Sequence, residues 1–195
     1  MGNYCENVKS ALLEVMIDPT IILQRLLNTP PMRLDTVPRG QGIYALYDHE
    51  GRARYIGKTA KCLNERILKR HVGGDGNSHK FSSIYNAGRM FHDRKHPASC
   101  STDGPIAKEL RRLFAREYCR AVAIPLPGLS QKELDAIETA AISLAPTEAQ
   151  SWNHARALDS YEPTEVLDAF VATLGWPRTK VDAIQRQARR WVALR

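Results

Sequence analysis

The stretch QGIYALYDHEGRARYIGKT, residues 41–59, decides the fold. Two short apolar runs flank a polar segment that ends on glycine, the pattern of a β-hairpin. It reads as a strand over 42–48, a turn over 49–52 and a strand over 53–58. With a two-residue turn at Glu50 and Gly51, Tyr44 faces Gly57 and Leu46 faces Tyr55. Side chains alternate along a strand, so Tyr44, Leu46, Tyr55 and Gly57 share one face and Tyr47 points to the other. A three-residue loop would destroy that parity. Tyr44 and Tyr55 become diagonal neighbours, roughly 7–8 Å apart. Gly57 is expected to leave an open hollow opposite Tyr44, large enough for a ligand to approach.

Two phenols aimed at one hollow raise a chemical question. A phenol ionises only near pH 10, roughly, unless cations stabilise the phenolate. Residues 51–80 hold eight Lys/Arg against two acids, with Lys58, Lys61, Arg66, Lys69 and Arg70 closest to the hairpin. The plainer reading is a hairpin that uses tyrosine for strand propensity and half-burial.

Upstream, apolar residues at helical spacing run from Val8 to Leu27, with Pro19 dividing them into two short helices. NTPPMRLDTVPRGQG (28–42) reads as a linker. Downstream, a helix is expected over 61–71, then a glycine-rich loop VGGDGNSHK (72–80), a helical stretch over 80–91 and a long polar loop over 92–105. IAKELRRLFAREY (106–118) has amphipathic helical spacing, and CRAVAIPL (119–126) reads as a third strand. Ser130 with Glu133 three residues on makes a capping box for a helix that reaches Leu144 and stops near Pro146. Beyond Asn153 the chain is mostly helical, broken around GWP (175–177). The expected class is α/β (α+β): a small, mostly antiparallel three-stranded sheet flanked by helices. Residues 1–39 form a helical extension and linker, 40–153 the core with an insertion around 72–118, and 154–195 a basic helical tail.

The 195 residues carry a net charge of +7 and a sequence pI of about 9.4. That favours a polyanionic partner, nucleic acid before an acidic membrane surface. No run is long and apolar enough to span a bilayer, and no secretory signal is evident. Cys5, Cys62, Cys100 and Cys119 are widely spaced, without a Cys-x-x-Cys pair, which fits free thiols in a reducing compartment. A cytoplasmic, bacterial setting is expected.

GIY (42–44) and YIG (55–57), with ten residues between their tyrosines, resemble the GIY-YIG nuclease family. The segment YIGKTAKCLNERILKRH (55–71) resembles the family pattern of a lysine after the second tripeptide, an arginine on the next helix and a histidine about a turn later. LDAIETAAISLAPTEAQSWN (134–153) resembles its closing element, a glutamate on a helix, then proline, then asparagine. The resemblance covers about residues 40–153. It implies the GIY-YIG fold and hydrolysis of nucleic-acid phosphodiesters with Mg2+ or Mn2+ held by Glu138. Tyr44 matches the family's general base, acting directly or through a relay, and Tyr55 the partner that orients water or phosphate. Lys58 would lower a phenol pKa or contact phosphate, and Arg66 would stabilise charge on the transition state. His71 matches the family histidine less securely: Arg66 to His71 is five residues where the pattern has four, and Arg70 stands at the fourth. The segment from Tyr55 to Arg66 is also one residue long, as a bulged loop near Lys61 would make it. Gly42, Gly57 and Asn153 match structural positions. Lys61, Lys69, Arg70, Lys80 and Arg89 are expected to contact the nucleic-acid backbone.

Spacing alone supports Glu138. Leu134, Glu138 and Ile142 share a helix face, and a carboxylate between apolar neighbours is costly to bury unless paired or metal-bound. The resemblance points to a type II restriction endonuclease on double-stranded DNA, working as a homodimer alongside a cognate DNA methyltransferase. A repair, recombination or mobile-element nuclease, or an inactive nucleic-acid-binding module, stands as the alternative. His92 and His96 in HDRKH have metal-binding spacing but lack the protease glutamate. The C-terminal RTKVDAIQRQARRWVALR (178–195) is read either as a phosphate grip or as a packing helix with Val181, Ile184 and Ala188 inward.

Overall fold

The computed structural model describes residues 17–74, 79–153 and 159–195. The expected first helix with Val8, Leu12, Leu13, Val15 and Met16, residues 75–78 of the glycine-rich loop, and the start of the expected tail lie outside the described residues. The chain divides into two compact units, Met1–Arg66 with Cys119–Ala155, and Ile67–Tyr118 with Arg156–Arg195. Thus the stretch read as an insertion and the stretch read as a tail come together as one unit.

The first unit is a four-stranded, wholly antiparallel sheet with helices. Its elements are α1 (Pro19–Asn28), β1 (Met32–Arg33), β2 (Gly42–Tyr47), β3 (Ala53–Thr59), the first turn of α2 (Leu63–Glu65), β4 (Arg120–Pro125) and α5 (Gln131–Leu144), which in the chain follows α3 (Lys80–Ile84) and α4 (Asp103–Tyr118) of the second unit. The strand order is β1-β4-β2-β3, so β3 is an edge. The expected three strands are four. Met32 and Arg33, inside the presumed linker, pair with Ala121 and Arg120. A two-residue strand bounded by prolines is too short to show an alternating pattern.

One face of the sheet supplies Ile43, Ala45, Tyr47, Ile56, Val122 and Ile124 to a core shared with Ile22, Leu23 and Leu26 of α1 and Leu134, Ile137 and Ala141 of α5. Each fully buried aliphatic side chain contributes about 1.5–3 kcal/mol. Tyr47 sits on this face, and its hydroxyl donates to the Leu26 carbonyl at 2.7 Å. Pro19 opens α1, as the expected division at this proline requires, and Asp18 caps the helix by accepting from the Thr20 amide at 2.7 Å. The Ser130–Glu133 capping box opens α5 as expected.

The hairpin register holds, but by a different route. Its loop has three residues, 49–51: the Asp48 amide donates to the Arg52 carbonyl at 2.9 Å, and Gly51 adopts φ +78°. Such a loop alone would have shifted every later pair. Tyr47 pairs with Ala53 while Leu46 pairs with Tyr55, so Arg54 is an extra residue, a β-bulge that restores Tyr44 opposite Gly57. Buried Asp48 sustains the turn. Its Oδ1 accepts from the Glu50 and Arg52 amides and its Oδ2 from Arg54 Nε at 2.7 Å.

The second unit is helical. After the first turn of α2, residues Arg66–Val72 run on as a π-helix. Then come α3 (Lys80–Ile84), α4 (Asp103–Tyr118), α6 (Thr164–Thr173) and α7 (Arg178–Ala193), with short 3-10 turns at Gly88–Met90 and Pro97–Cys100. Phe114 centres its aromatic core, with ring centroids 5.2 Å from Tyr85, 5.0 Å from Tyr118 and 6.2 Å from Phe170. Helix α7 buries Ala183, Ile184 and Gln187, so its inward stripe lies beside the one expected, with Val181 and Ala188 at its margins. Residues 92–96 are not helical, which removes the one-turn spacing proposed for His92 and His96. Among the described residues no helix is long and apolar enough to cross a membrane. Cys62, Cys100 and Cys119 are free thiols.

Candidate functional site

The site is built where β2 and β3 bring their tyrosines together. The ring centroids of Tyr44 and Tyr55 lie 6.1 Å apart with planes tilted by 46°. Tyr44 is fully buried and Tyr55 partly exposed. The hollow expected at Gly57 is not open. A Cβ there would lie 2.5 Å from Tyr55 Cε1 and 2.8 Å from Tyr44 Oη. Glycine is required because both rings lie over its Cα. Gly42 is confined in the same way: a Cβ would meet the Ile124 carbonyl oxygen at 2.1 Å, so this residue lets β2 and β4 approach.

Arg66 lies beside both rings, and its guanidinium donates to both phenol oxygens. The two hydroxyls also share a hydrogen bond. Arg66 Nε is buried without a hydrogen-bond partner. Burial pushes the Tyr44 phenol well above its ordinary pKa, and the neighbouring Tyr55 adds to the rise, while Arg66 opposes it. Burial raises Tyr55 as well, with Glu138 adding to the rise. The basic surroundings therefore do not produce a standing phenolate, because desolvation outweighs the nearby guanidinium.

Glu138 projects from α5, half-buried, and its carboxylate accepts from the Lys58 backbone amide. Burial raises its pKa and the Lys58 ammonium opposes the rise. The Lys58 Nζ pairs with Asp135, one helical turn before Glu138. Gln131 Nε2 also donates to Asp135 Oδ1 at 3.1 Å. Lys58 thus draws its cation toward the α5 carboxylates. Asp135 is a residue the sequence reading missed. Its signal was the i, i+3 spacing to Glu138, which puts both carboxylates on neighbouring positions of one helix face.

Asn153 covers the outer edge of β3. Its Oδ1 accepts from the Ile56 amide at 3.0 Å and its Nδ2 donates to the Ile56 carbonyl at 2.7 Å. Buried Trp152 continues the seal, its amide donating to the carbonyl of bulged Arg54 at 2.9 Å. With Glu138 on the Lys58 amide, the Arg54 carbonyl, both Ile56 backbone groups and the Lys58 amide are engaged along this edge. Trp152 and Asn153 therefore protect an otherwise open sheet edge, and Glu138 of α5 meets it at Lys58.

The remaining predicted residues fall elsewhere. His71 belongs to the helical unit, is fully buried, and its Nδ1 accepts from the Lys80 amide at 3.1 Å. That bond leaves Nε2 as the protonated nitrogen of the neutral ring. A π-helix turns through more residues than an α-helix, so the five-residue step from Arg66 to His71 is about one turn of this segment. Lys61, Lys69 and Arg70 are exposed. Lys80 and Arg89 are buried, contrary to the expectation of phosphate contacts. Arg89 instead pairs with Glu162 at 2.7 Å and Asp168 at 2.5 Å.

Among the described residues no group of three or more His, Cys, Asp or Glu side chains could hold a metal. The oxygen donors at the site are Glu138 and Asp135. Such a set suits a hard divalent cation that keeps most of its shell as water and phosphate oxygens. Half-burial of Glu138 fits the same role, since a cation would offset the cost of its charge. Compared with known protein families, curated proteins and solved structures, the chain has no match.

Proposed function

We propose that this chain is a divalent-metal-dependent endonuclease acting on DNA. The observation that carries the reading is convergence: Tyr44, Tyr55, Arg66 and Glu138, from two strands and two helices, interact electrostatically at one place. Three polar side chains drawn together beside the buried Tyr44 phenol are costly for the fold, and phosphodiester hydrolysis gives each of the four a use.

Arg66 holds both phenols and stands ready for the negative charge that grows on phosphorus, an electrostatic role of large effect. Both phenols are neutral, so Tyr44 does not abstract a proton as a standing base. It orients the attacking water through its hydroxyl; as the water's proton moves to Tyr44 Oη, Tyr44 passes its own proton along the shared hydrogen bond to Tyr55, and the partly exposed Tyr55 releases its own to solvent, so both phenols end neutral. Glu138, with Asp135 near it, would hold Mg2+ or Mn2+, which when bound neutralises phosphate charge and assists the leaving oxygen. Lys58 is held by Asp135 at the same end and adds a second positive charge toward the phosphate. Within this reading the finer assignment is a restriction-type enzyme that works as a dimer beside a methyltransferase of matching specificity.

The experiment is plasmid cleavage with Mg2+, Mn2+ or EDTA, comparing wild type with Glu138→Ala. Discrete metal-dependent fragments that vanish in the variant are the expected result. Smearing would keep the nuclease and remove the restriction role. Absence of cleavage on plasmid and on branched DNA would sink the enzymatic reading.

A further inference from the structure

The charge of the chain is not shared between its units. The sheet unit holds eleven Lys/Arg and eleven Asp/Glu, whereas the helical unit holds seventeen and ten. The entire excess of +7 therefore lies on the helical unit. Charge segregation of this kind marks the part of a molecule that meets a polyanion.

Several of these cations are already committed. Besides Arg89, Lys180 pairs with Glu109 at 2.8 Å, Arg186 with Asp103 at 2.7 Å and Arg190 with Asp93 at 3.2 Å. These pairs fasten α7 to α4 and to the loop before it, which accounts for much of the basic character of the C-terminal stretch. Arg70, Arg112 and Arg116 differ: they are exposed, and among the described residues no ion pair holds them. Lys108, Arg112 and Arg116 follow at i, i+4 and i+8 along α4, whose opposite face buries Ala107, Leu110 and Phe114. They form a ridge about 12 Å long. A Cβ at Gly73 would lie 3.9 Å from Arg112 Nε, so the backbone leaving Lys69 and Arg70 passes beside the ridge.

We propose that Lys69, Arg70, Lys108, Arg112 and Arg116 form the surface on which the helical unit docks the phosphate backbone of double-stranded DNA, while the neutral sheet unit supplies the chemistry. The choice of DNA as the polyanion rests on the nuclease reading above. A membrane surface fits less well. A basic helix that lies on lipid carries large apolar residues beside its cations, and the exposed ones here, Leu144, Tyr161, Val192 and Leu194, are not on α4.

The test is affinity for a fluorescent duplex in EDTA across a salt series, with metal-dependent cleavage followed in parallel. Wild type is compared with Arg112→Gln/Arg116→Gln and with a charge-matched exposed pair on the sheet unit, Arg39→Gln/Lys132→Gln. Each lost phosphate contact lowers the slope of log affinity against log salt by about 0.9. The α4 pair is expected to lose nearly two units of slope and at least about tenfold in affinity, with the sheet pair unchanged. Equal losses in both pairs, or none in either, would overturn the surface, as would binding to phosphatidylserine vesicles but not to DNA. Unchanged binding by the α4 pair with cleavage intact removes this surface alone. An α4-dependent affinity with no metal-dependent cleavage removes the nuclease reading alone.

Discussion

Gly57 joins backbone geometry to chemistry within a single residue. Two tyrosine rings lie where its side chain would be, and the same rings carry the phenols that Arg66 binds. A methyl group cannot enter without displacing an aromatic ring that is itself confined, so Gly57→Ala is expected to cost about 1–3 kcal/mol, the usual range for overpacking. Urea unfolding measures it. A loss below about 0.5 kcal/mol, within the range of ordinary surface changes, would mean that the rings have room to move. Tyr44 teaches the complementary point. Cations near it in sequence suggested an easily ionised phenol, yet full burial raises its pKa instead. Proximity in sequence says which charges are near, whereas burial decides whether they prevail.

At the scale of elements, the edge strand β3 governs the arrangement. Its outward backbone groups are met in turn by Trp152, Asn153 and Glu138. One stretch of chain therefore protects the edge and delivers a carboxylate to the tyrosine pair. Asn153→Ala leaves the Ile56 amide and carbonyl unmatched, and the expected cost is about 1–3 kcal/mol. Amide exchange at Ile56 should quicken more than exchange at Ile43, which lies within the sheet. If the two amides quicken equally, the Asn153 side chain is not what closes this edge. The hairpin loop carries a similar lesson: three loop residues and one bulge together give the register that a two-residue turn would give by itself.

At the scale of the molecule, the insertion and the C-terminal stretch fold into one helical unit. Arg89 is its buried ionic centre, since its backbone amide and its guanidinium both bind Glu162. Arg89→Gln leaves the half-buried Glu162 charge uncompensated, and breaking a buried pair costs about 3–5 kcal/mol. Thermal unfolding of the full chain is the measurement. Unchanged stability together with weakened DNA binding would return Arg89 to the backbone-contacting set from which its burial removes it.

Local signals in the sequence determined the hairpin, its tyrosine-bearing face, the capping box, the place of β4 and the outline of most helices. Each depends on strand alternation, helical spacing or the chemistry of a cap, and these repeat within a few residues. The GIY and YIG tripeptides, with Arg66 and Glu138, likewise singled out residues that the fold brings together. Only the tertiary structure decided the rest. Strand β1 exists because β4 offers it a partner, and nothing within Met32 and Arg33 announces it. The space above Gly57 is closed because two rings meet there, and Asp135 joins the site because Lys58 reaches it. Arg89 and Lys80 are inside while Arg112 and Arg116 are outside, although all four are cations in one basic unit. Net charge is additive along a chain, but burial and pairing depend on what folding brings to each side chain from a distance.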